Sequence, residues 1–285
     1  MWRTCRWSAG RKGAELSDPR PLGVFDSGIG GLTVFRALAK RLPGEQILYL
    51  GDTARVPYGT KSPETVTRYT RECARFLMHR DIKALVVACN TASALALPSL
   101  IQELSVPTMG VLQPGAQRAC AASASGRIGV IGTDATIRSG AYASAIRDLK
   151  SDAEVISVAC PLFVPLAEEG WTEGEVARLV AEKYLAAFAE KRIDTLVLGC
   201  THYPLLKGVI SQELGPAIRL VDSAEAVADE TARVLESSGL KAMRERGEEH
   251  HFYVTDSSRR FAEVGTRFLG TPLGRLEQVD ITGED

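Results

Sequence analysis

The sequence predicts an α/β protein made of two pseudo-symmetric, doubly wound parallel-sheet domains, with the candidate active site in the cleft between them. Two stretches 111 residues apart carry most of the prediction: Ala84-Leu85-Val86-Val87-Ala88-Cys89-Asn90-Thr91 and Thr195-Leu196-Val197-Leu198-Gly199-Cys200-Thr201-His202. Each is a short β-branched apolar run, then a small residue, a cysteine and hydrogen-bonding side chains, which reads as a buried parallel strand with a thiol at its carboxyl end. A weaker duplication accompanies them. Aligning Gly129 with Gly23 makes Thr133 the counterpart of Ser27 at an offset of 106, close to the spacing of the cysteines. At 285 residues and 45% hydrophobic content, the chain exceeds one small core and can fill two of about 100 to 150 residues.

In chain order, Gly23-Val24-Phe25 is a short strand running into the turn Asp26-Ser27-Gly28-Ile29-Gly30-Gly31, and residues 32–41 read as a helix. Gln46 to Leu50 is the second strand, followed by the polar loop Gly51 to Gly59. Ser62-Pro63 starts a helix, with a capping hydroxyl and a proline at the first helical position, and Val66, Tyr69, Cys73, Phe76 and Leu77 give it one apolar face. The strand ending at Cys89, a helical stretch through Glu103 and a short strand within Val106 to Val111 follow. The second half opens with the strand Arg127 to Thr133 and continues with the strand Glu154 to Ala159. Thr172 and Glu175 form a capping box for a helix to about Lys191, ahead of the strand ending at Cys200. Beyond it, Val221 ends a strand, Asp222 or Ser223 caps a helix with Val227, Thr231, Val234 and Leu235 inward, and Phe252 to Thr255 and Ser258 to Phe268 complete the chain.

This tail is too short for a third domain and should pack back on the first half. The expected division is a flexible extension over residues 1–20, one domain of 21–115 plus 225–285, and an inserted domain of 116–224. The extension carries Arg3, Arg6, Arg11, Lys12 and Arg20 without an apolar core region, which argues against a secretory signal. No apolar run approaches the roughly 20 residues that cross a bilayer, so no membrane association is expected.

Thirty-four Lys and Arg against 35 Asp and Glu, with no basic stripe interleaved with aromatics, leave no electrostatic footprint for nucleic acid. A small-molecule ligand is the expected partner. Six cysteines at 5, 73, 89, 120, 160 and 200 show no CxxC and no disulfide framework, which fits reduced thiols in a cytoplasm. Cys200 and His202 alone cannot supply the three or four ligands of a zinc site, so no metal is expected. Ligands of open α/β sheets bind beyond the carboxyl ends of the strands, so Cys89 and Cys200 could flank one small molecule from opposite sides. That arrangement suits two-base proton transfer.

Four motifs in this order resemble the glutamate racemases of the aspartate/glutamate racemase superfamily: Val24-Phe25-Asp26-Ser27-Gly28-Ile29-Gly30-Gly31-Leu32, Leu50 to Gly59, Ala88-Cys89-Asn90-Thr91-Ala92, and Leu198 to Leu206. The resemblance covers about Pro21 to the C-terminus. It implies interconversion of L- and D-glutamate without a cofactor, D-glutamate for peptidoglycan and so for cell-wall biogenesis and cell shape, and a homodimer. Removing a Cα proton from one face and returning one to the other requires an acid and a base in opposed positions. With an ordinary thiol pKa of about 8.5, one sulfur must be thiolate while the other stays protonated. The resemblance assigns the L-enantiomer to Cys200 and the D-enantiomer to Cys89. It gives supporting roles to Asp26 and His202, and to the glutamate closing Pro161 to Glu168, assigned to Glu168 although Glu169 is adjacent.

By the same resemblance, Asn90, Thr91, Thr133 and Thr201 hold the α-amino and α-carboxylate groups, Ser27, Tyr58 and Gly59 hold the side-chain carboxylate, and Asp26, Pro57 and His202 complete the substrate site. Backbone N–H groups of the turn from Ser27 to Gly30 are expected to add an anion site. Other features have structural readings. Cys73, Cys120 and Cys160 read as small buried hydrophobes, and His79, His250 and His251 as surface residues. Trp171 should pack near a helix start, and Trp2, Trp7 and Cys5 belong to the tail. The glycine turn lacks the third glycine of GxGxxG and the lysine of a P-loop, which weakens a nucleotide-binding reading. The alternative from another class is a non-catalytic α/β protein that binds a small anion in the same cleft and regulates a partner; within the enzyme class it is an aspartate racemase.

Overall fold

Two all-parallel sheets organise the computed structural model, which describes residues 17–245 and 247–282. The strands are β1 (Leu22–Asp26), β2 (Ile47–Gly51), β3 (Ala84–Val87), β4 (Thr108–Gly110), β5 (Arg127–Gly132), β6 (Glu154–Ala159), β7 (Thr195–Gly199), β8 (Arg219–Asp222), β9 (His251–Val254) and β10 (Arg275–Gln278). The first sheet runs β10-β9-β2-β1-β3-β4 and the second β6-β5-β7-β8. The order β2-β1-β3-β4 therefore recurs as β6-β5-β7-β8. The register recurs with it: Leu22 pairs with Ala84, and Ile128, 106 positions on, pairs with Thr195, 111 positions beyond Ala84.

Both sheets are covered on both faces, which is why β1, β3 and β7 are continuous apolar runs rather than alternating ones. On the first sheet, helices Leu32–Arg41, Ser223–Ser237 and Ser258–Leu269 bury Leu32, Phe35, Val227, Leu235 and Phe268 against one face. Helix Pro63–Met78 closes the other with Val66, Cys73 and Leu77. On the second sheet, Ala177, Ala181 and Ile210 lie in one core, and Ala116, Ala119 and Ile146 in the other. The C-terminal segment returns to the first sheet, where β9 pairs with β2 and β10 extends the edge.

Local signals explain most element starts. The Ser62 hydroxyl accepts from the Thr65 N–H with Pro63 at the first helical position, and Asp222, not Ser223, caps the next-to-last helix by accepting from the Ala224 N–H. The capping box at Thr172 does not form. Helix Gly174–Leu185 starts after Glu173 with no side-chain cap, because Gly174 turns the chain through a left-handed φ of 86° that glycine takes at little cost. That helix stops at Leu185 rather than near Lys191, and one 3-10 turn, Ala186–Phe188, follows it.

Three further expectations are corrected. His251 opens β9 and is 8% exposed, stacked on Tyr253, whose hydroxyl lies 2.8 Å from its Nδ1, and His250 accepts from the Ile47 N–H; neither is a surface residue. Trp171 is 56% exposed rather than packed. Cys120 is only partly buried, whereas Cys73 and Cys160 are buried as expected. Cys5, Trp2 and Trp7 lie outside the described residues, as does the extension up to residue 16. Its last four residues are tied down: the Lys83 ammonium donates to the Asp18 carbonyl at 2.6 Å, and the Met243 N–H to the Ser17 hydroxyl.

Lys83 also pairs with Glu45 at 2.5 Å, and both side chains are excluded from solvent. Removing one partner of such a pair leaves an uncompensated buried charge. Lys83→Met should therefore lower unfolding stability by about 3–5 kcal/mol, measured by urea denaturation. Lys83→Met combined with Glu45→Met should recover most of the loss. A single variant as stable as the parent would show that the pair contributes nothing.

Candidate active site

The two cysteines stand at the carboxyl ends of equivalent strands. Cys89 follows β3 and takes the N-cap position of helix Asn90–Leu95, while Cys200 follows β7 and leads into the 3-10 turn Tyr203–Leu206. They are 5% and 6% exposed. The Cys89 thiol donates to the Ser27 hydroxyl at 3.5 Å. Burial, followed by the negative charge of Asp26, pushes the Cys89 pKa up to about 12, so this sulfur rests as a thiol at neutral pH.

Asp26 ends β1 and is fully buried. Desolvation raises its pKa, opposed by the charge of His202 and by backbone hydrogen bonds from Gly31, Gly28 and Ser27. The turn thus directs N–H groups at its own aspartate, and the Gly28 N–H lies 3.0 Å from Oδ2. Of the N–H groups in the turn expected to bind an anion, that of Gly28 is therefore already taken by Asp26. The other carboxylate oxygen, Oδ1, is buried without a partner.

His202 organises the second thiol. Its Nδ1 lies 3.8 Å from Cys200 Sγ and its Nε2 lies 3.0 Å from Glu168 Oε1. Burial alone would lower its pKa, but the hydrogen bonds with Cys200 and Glu168 outweigh it and raise the value to about 10. The imidazolium is therefore held through neutral pH. Glu168 responds in the opposite sense: burial would raise its pKa, and His202 brings it below the ordinary carboxylate value. Glu169 is exposed and lies 4.0 Å from Arg260, so of the two neighbours it is Glu168 that reaches His202. The glycine turn meets this group directly. A Cβ on Gly30 would collide with Thr201 and His202, and the Thr33 hydroxyl, 3.1 Å from the Thr201 carbonyl, joins the two segments.

Between the sheets, Thr91 and Thr133 hydroxyls lie 3.0 Å apart, and both contact Thr136, at 3.2 and 3.0 Å. Thr136 was missed by the sequence reading; its signal is its place three residues after Thr133, whose hydroxyl caps helix Asp134–Arg138 by accepting from the Thr136 N–H. Gly59 borders the same cluster, since a Cβ there would come within 2.7 Å of Thr133 Cβ. Asn90 accepts from the Tyr142 hydroxyl at 2.7 Å, a second residue missed from the sequence because nothing in its local pattern marks it. Tyr58 does not offer its hydroxyl to the cleft: the ring is buried and the phenol donates to Asp52 at 2.5 Å, leaving its main chain as the part a ligand could meet. Pro57 is exposed and Ser27 partly buried. Among the described residues, no three His, Cys, Asp or Glu side chains gather to hold a metal. A cavity of about 210 Å³ adjoins Glu168, Gly28 and Val56, but neither thiol lines it.

Two buried thiols at equivalent strand ends, one bonded to Ser27 and the other beside His202, have the chemistry of an acid–base pair. Residues 25–231 match the family model described as Asp/Glu/Hydantoin racemase, and the chain belongs to that family. It is 57% identical over 265 residues to the glutamate racemase of Geobacter metallireducens, covering 93% of this chain and 98% of the relative. Among solved structures, a glutamate racemase isoform of Bacillus anthracis superposes with a TM-score of 0.89 at 40% identity, covering 92% of this chain and 97% of that one. The glutamate racemase of Francisella tularensis, solved with D-glutamate, gives 0.86 at 41% identity over 93% and 99%. Within the family, the chain falls with the glutamate racemases.

Glu168→Gln keeps the shape of the carboxylate but removes the charge that helps hold the imidazolium. The His202 titration, followed by NMR of the ring protons, should move from about 10 to about 1 to 3 pH units lower. An unshifted titration would show that Glu168 does not set the charge of His202.

Proposed function

We propose that this protein interconverts L- and D-glutamate by two-base proton transfer at Cα, with no cofactor, supplying D-glutamate for peptidoglycan. One observation carries the reading: Cys89 and Cys200 occupy equivalent positions at the ends of β3 and β7, in the same register of two sheets with the same order. A duplicated frame that delivers two thiols supports an acid and a base on opposite faces of one carbon. A non-catalytic anion-binding protein needs neither thiol.

With L-glutamate, Cys200 as thiolate takes the Cα proton while the Cys89 thiol gives its proton to the opposite face. The reverse holds for D-glutamate. Turnover leaves the proton on the other sulfur, so each thiol needs a route to restore it. The His202 and Glu168 pair serves Cys200. Ser27 and Asp26 serve Cys89, where the raised thiol pKa favours prompt reprotonation. Neutral groups, Asn90, Thr91, Thr133 and Thr201, hold the α-amino and α-carboxylate groups. Ser27, Gly59 and the main chain of Pro57 and Tyr58 border the distal carboxylate.

The proposed division into residues 21–115 plus 225–285 and residues 116–224 is supported by the return of β9 to β2, while β5 to β8 form their own sheet. A cytoplasmic setting is supported by the five described cysteines, all free. No helix among the described residues is long and apolar enough to cross a membrane.

Incubation in D₂O with L- and D-glutamate separately should place deuterium at Cα and abolish optical activity from both sides. Cys89→Ala and Cys200→Ala should each slow racemisation by about 10²- to 10⁴-fold. Exchange with aspartate but not glutamate would keep the mechanism and change the substrate. Full activity in either cysteine variant would remove the two-thiol mechanism.

A further inference from the structure

We propose that Tyr142 is a positioning residue for the substrate: it locks the Asn90 side-chain amide in the orientation that offers Nδ2 to a substrate carboxylate oxygen. The inference rests on the racemase reading above and adds a residue to its binding machinery.

Asn90 directly follows Cys89 and opens helix Asn90–Leu95, with 3% exposure. Its Oδ1 accepts the Tyr142 hydroxyl at 2.7 Å. Its Nδ2 is buried and has no acceptor in the protein. A buried donor left unpaired is unfavourable and rare, so one beside the reacting thiol points to a ligand that answers it. An amide N–H₂ donates and cannot accept. Of the charged groups on an amino acid, only a carboxylate matches it; an ammonium would be repelled.

Tyr142 itself is held firmly. It lies in helix Ala141–Leu149, is 2% exposed, and packs against the residue before the second thiol, since a Cβ on Gly199 would come within 3.1 Å of its Cε2. One ring thus touches the strand end carrying Cys200 and, through its hydroxyl, the residue after Cys89. The same hydroxyl favours one polarity. The phenol O–H donates to Oδ1 while Ser223 also contacts the phenol; an inverted amide would give up the bond to Oδ1, force the phenol to donate to Ser223 instead, and turn Oδ1 toward the carboxylate. Without Tyr142, both amide orientations become available, and only one of them binds.

Tyr142→Phe keeps the ring and deletes the hydroxyl. KM for both enantiomers of glutamate should rise about tenfold, with kcat changed less than about threefold, because an interaction made equally in ground and transition states alters KM alone. The effect should vanish in the Asn90→Ala background, where no amide remains to orient. A role in packing alone would instead give the same increment in both backgrounds, and that additivity would overturn the proposal, as would an unchanged KM in Tyr142→Phe. If the variant is too unstable to assay, Asn90→Asp decides: it still accepts from Tyr142 but presents an oxygen where Nδ2 stood. KM should then rise about 100-fold or more, and an unchanged KM would overturn the proposal. Failure of the underlying reading is separately visible, since the unmodified protein would then exchange no Cα proton of glutamate.

Discussion

A thiol buried at the end of a fully covered parallel strand is costly to ionise, and this constraint shapes the whole site. Cys89 shows it directly: lost hydration and the nearby Asp26 lift its pKa to about 12. Two such sulfurs cannot both be anions in one small cleft, so a two-base exchange must keep one protonated whenever the other is a thiolate. The protein compensates on one side only. His202 and Glu168 place a cation and its partner next to Cys200, whereas Cys89 receives a neutral hydroxyl from Ser27.

The asymmetry is notable because the frame beneath it is symmetric. Applying the two register offsets, Asp26 corresponds to Gly132, Ser27 to Thr133, Asn90 to Thr201 and Thr91 to His202. The duplicated strands fix where the thiols stand, and the unmatched side chains fix what each thiol is next to. Asp26 is accommodated because three N–H groups of its own turn converge on it, while at Gly132 the facing space is taken by Ile137 and Thr136. His202 is accommodated because Gly30 lacks a side chain.

This division also explains what the sequence revealed. Buried parallel strands are legible because both faces are apolar, so β1, β3, β5 and β7, with the two cysteines, stood out, as did the helix Leu32–Arg41. Edge strand β10, Arg-Leu-Glu-Gln, was not legible: with one neighbour and exposed faces it needs no hydrophobic pattern. Asp26, Cys89, Cys200, His202 and Glu168 were named from motifs and resemblance, and the structure gathers them. The partners that depend on distant chain segments were hidden. Tyr142 reaches Asn90 across 52 positions, and the use of Tyr58 by Asp52 follows from the folding of its loop, not from composition.

Among the described residues no arginine hydrogen-bonds Cys89 or Cys200, which accords with the same electrostatics. Glutamate carries two carboxylates, and an arginine fork would be the strong way to bind either. An arginine beside Cys89 would set a second cation against the pair, in addition to the imidazolium already beside Cys200, and would stabilise the Cys89 thiolate. Arg55, in the loop nearest the site, is kept from doing this: Asp52 holds it at 2.7 Å and Glu72 pairs with its other end. The proposed binding groups are hydroxyls and amides, each worth less than an ion pair. The proposed contacts on Ser27, Asn90, Thr91, Thr133 and Thr201 are all uncharged, so none of them would add a full charge beside either thiol.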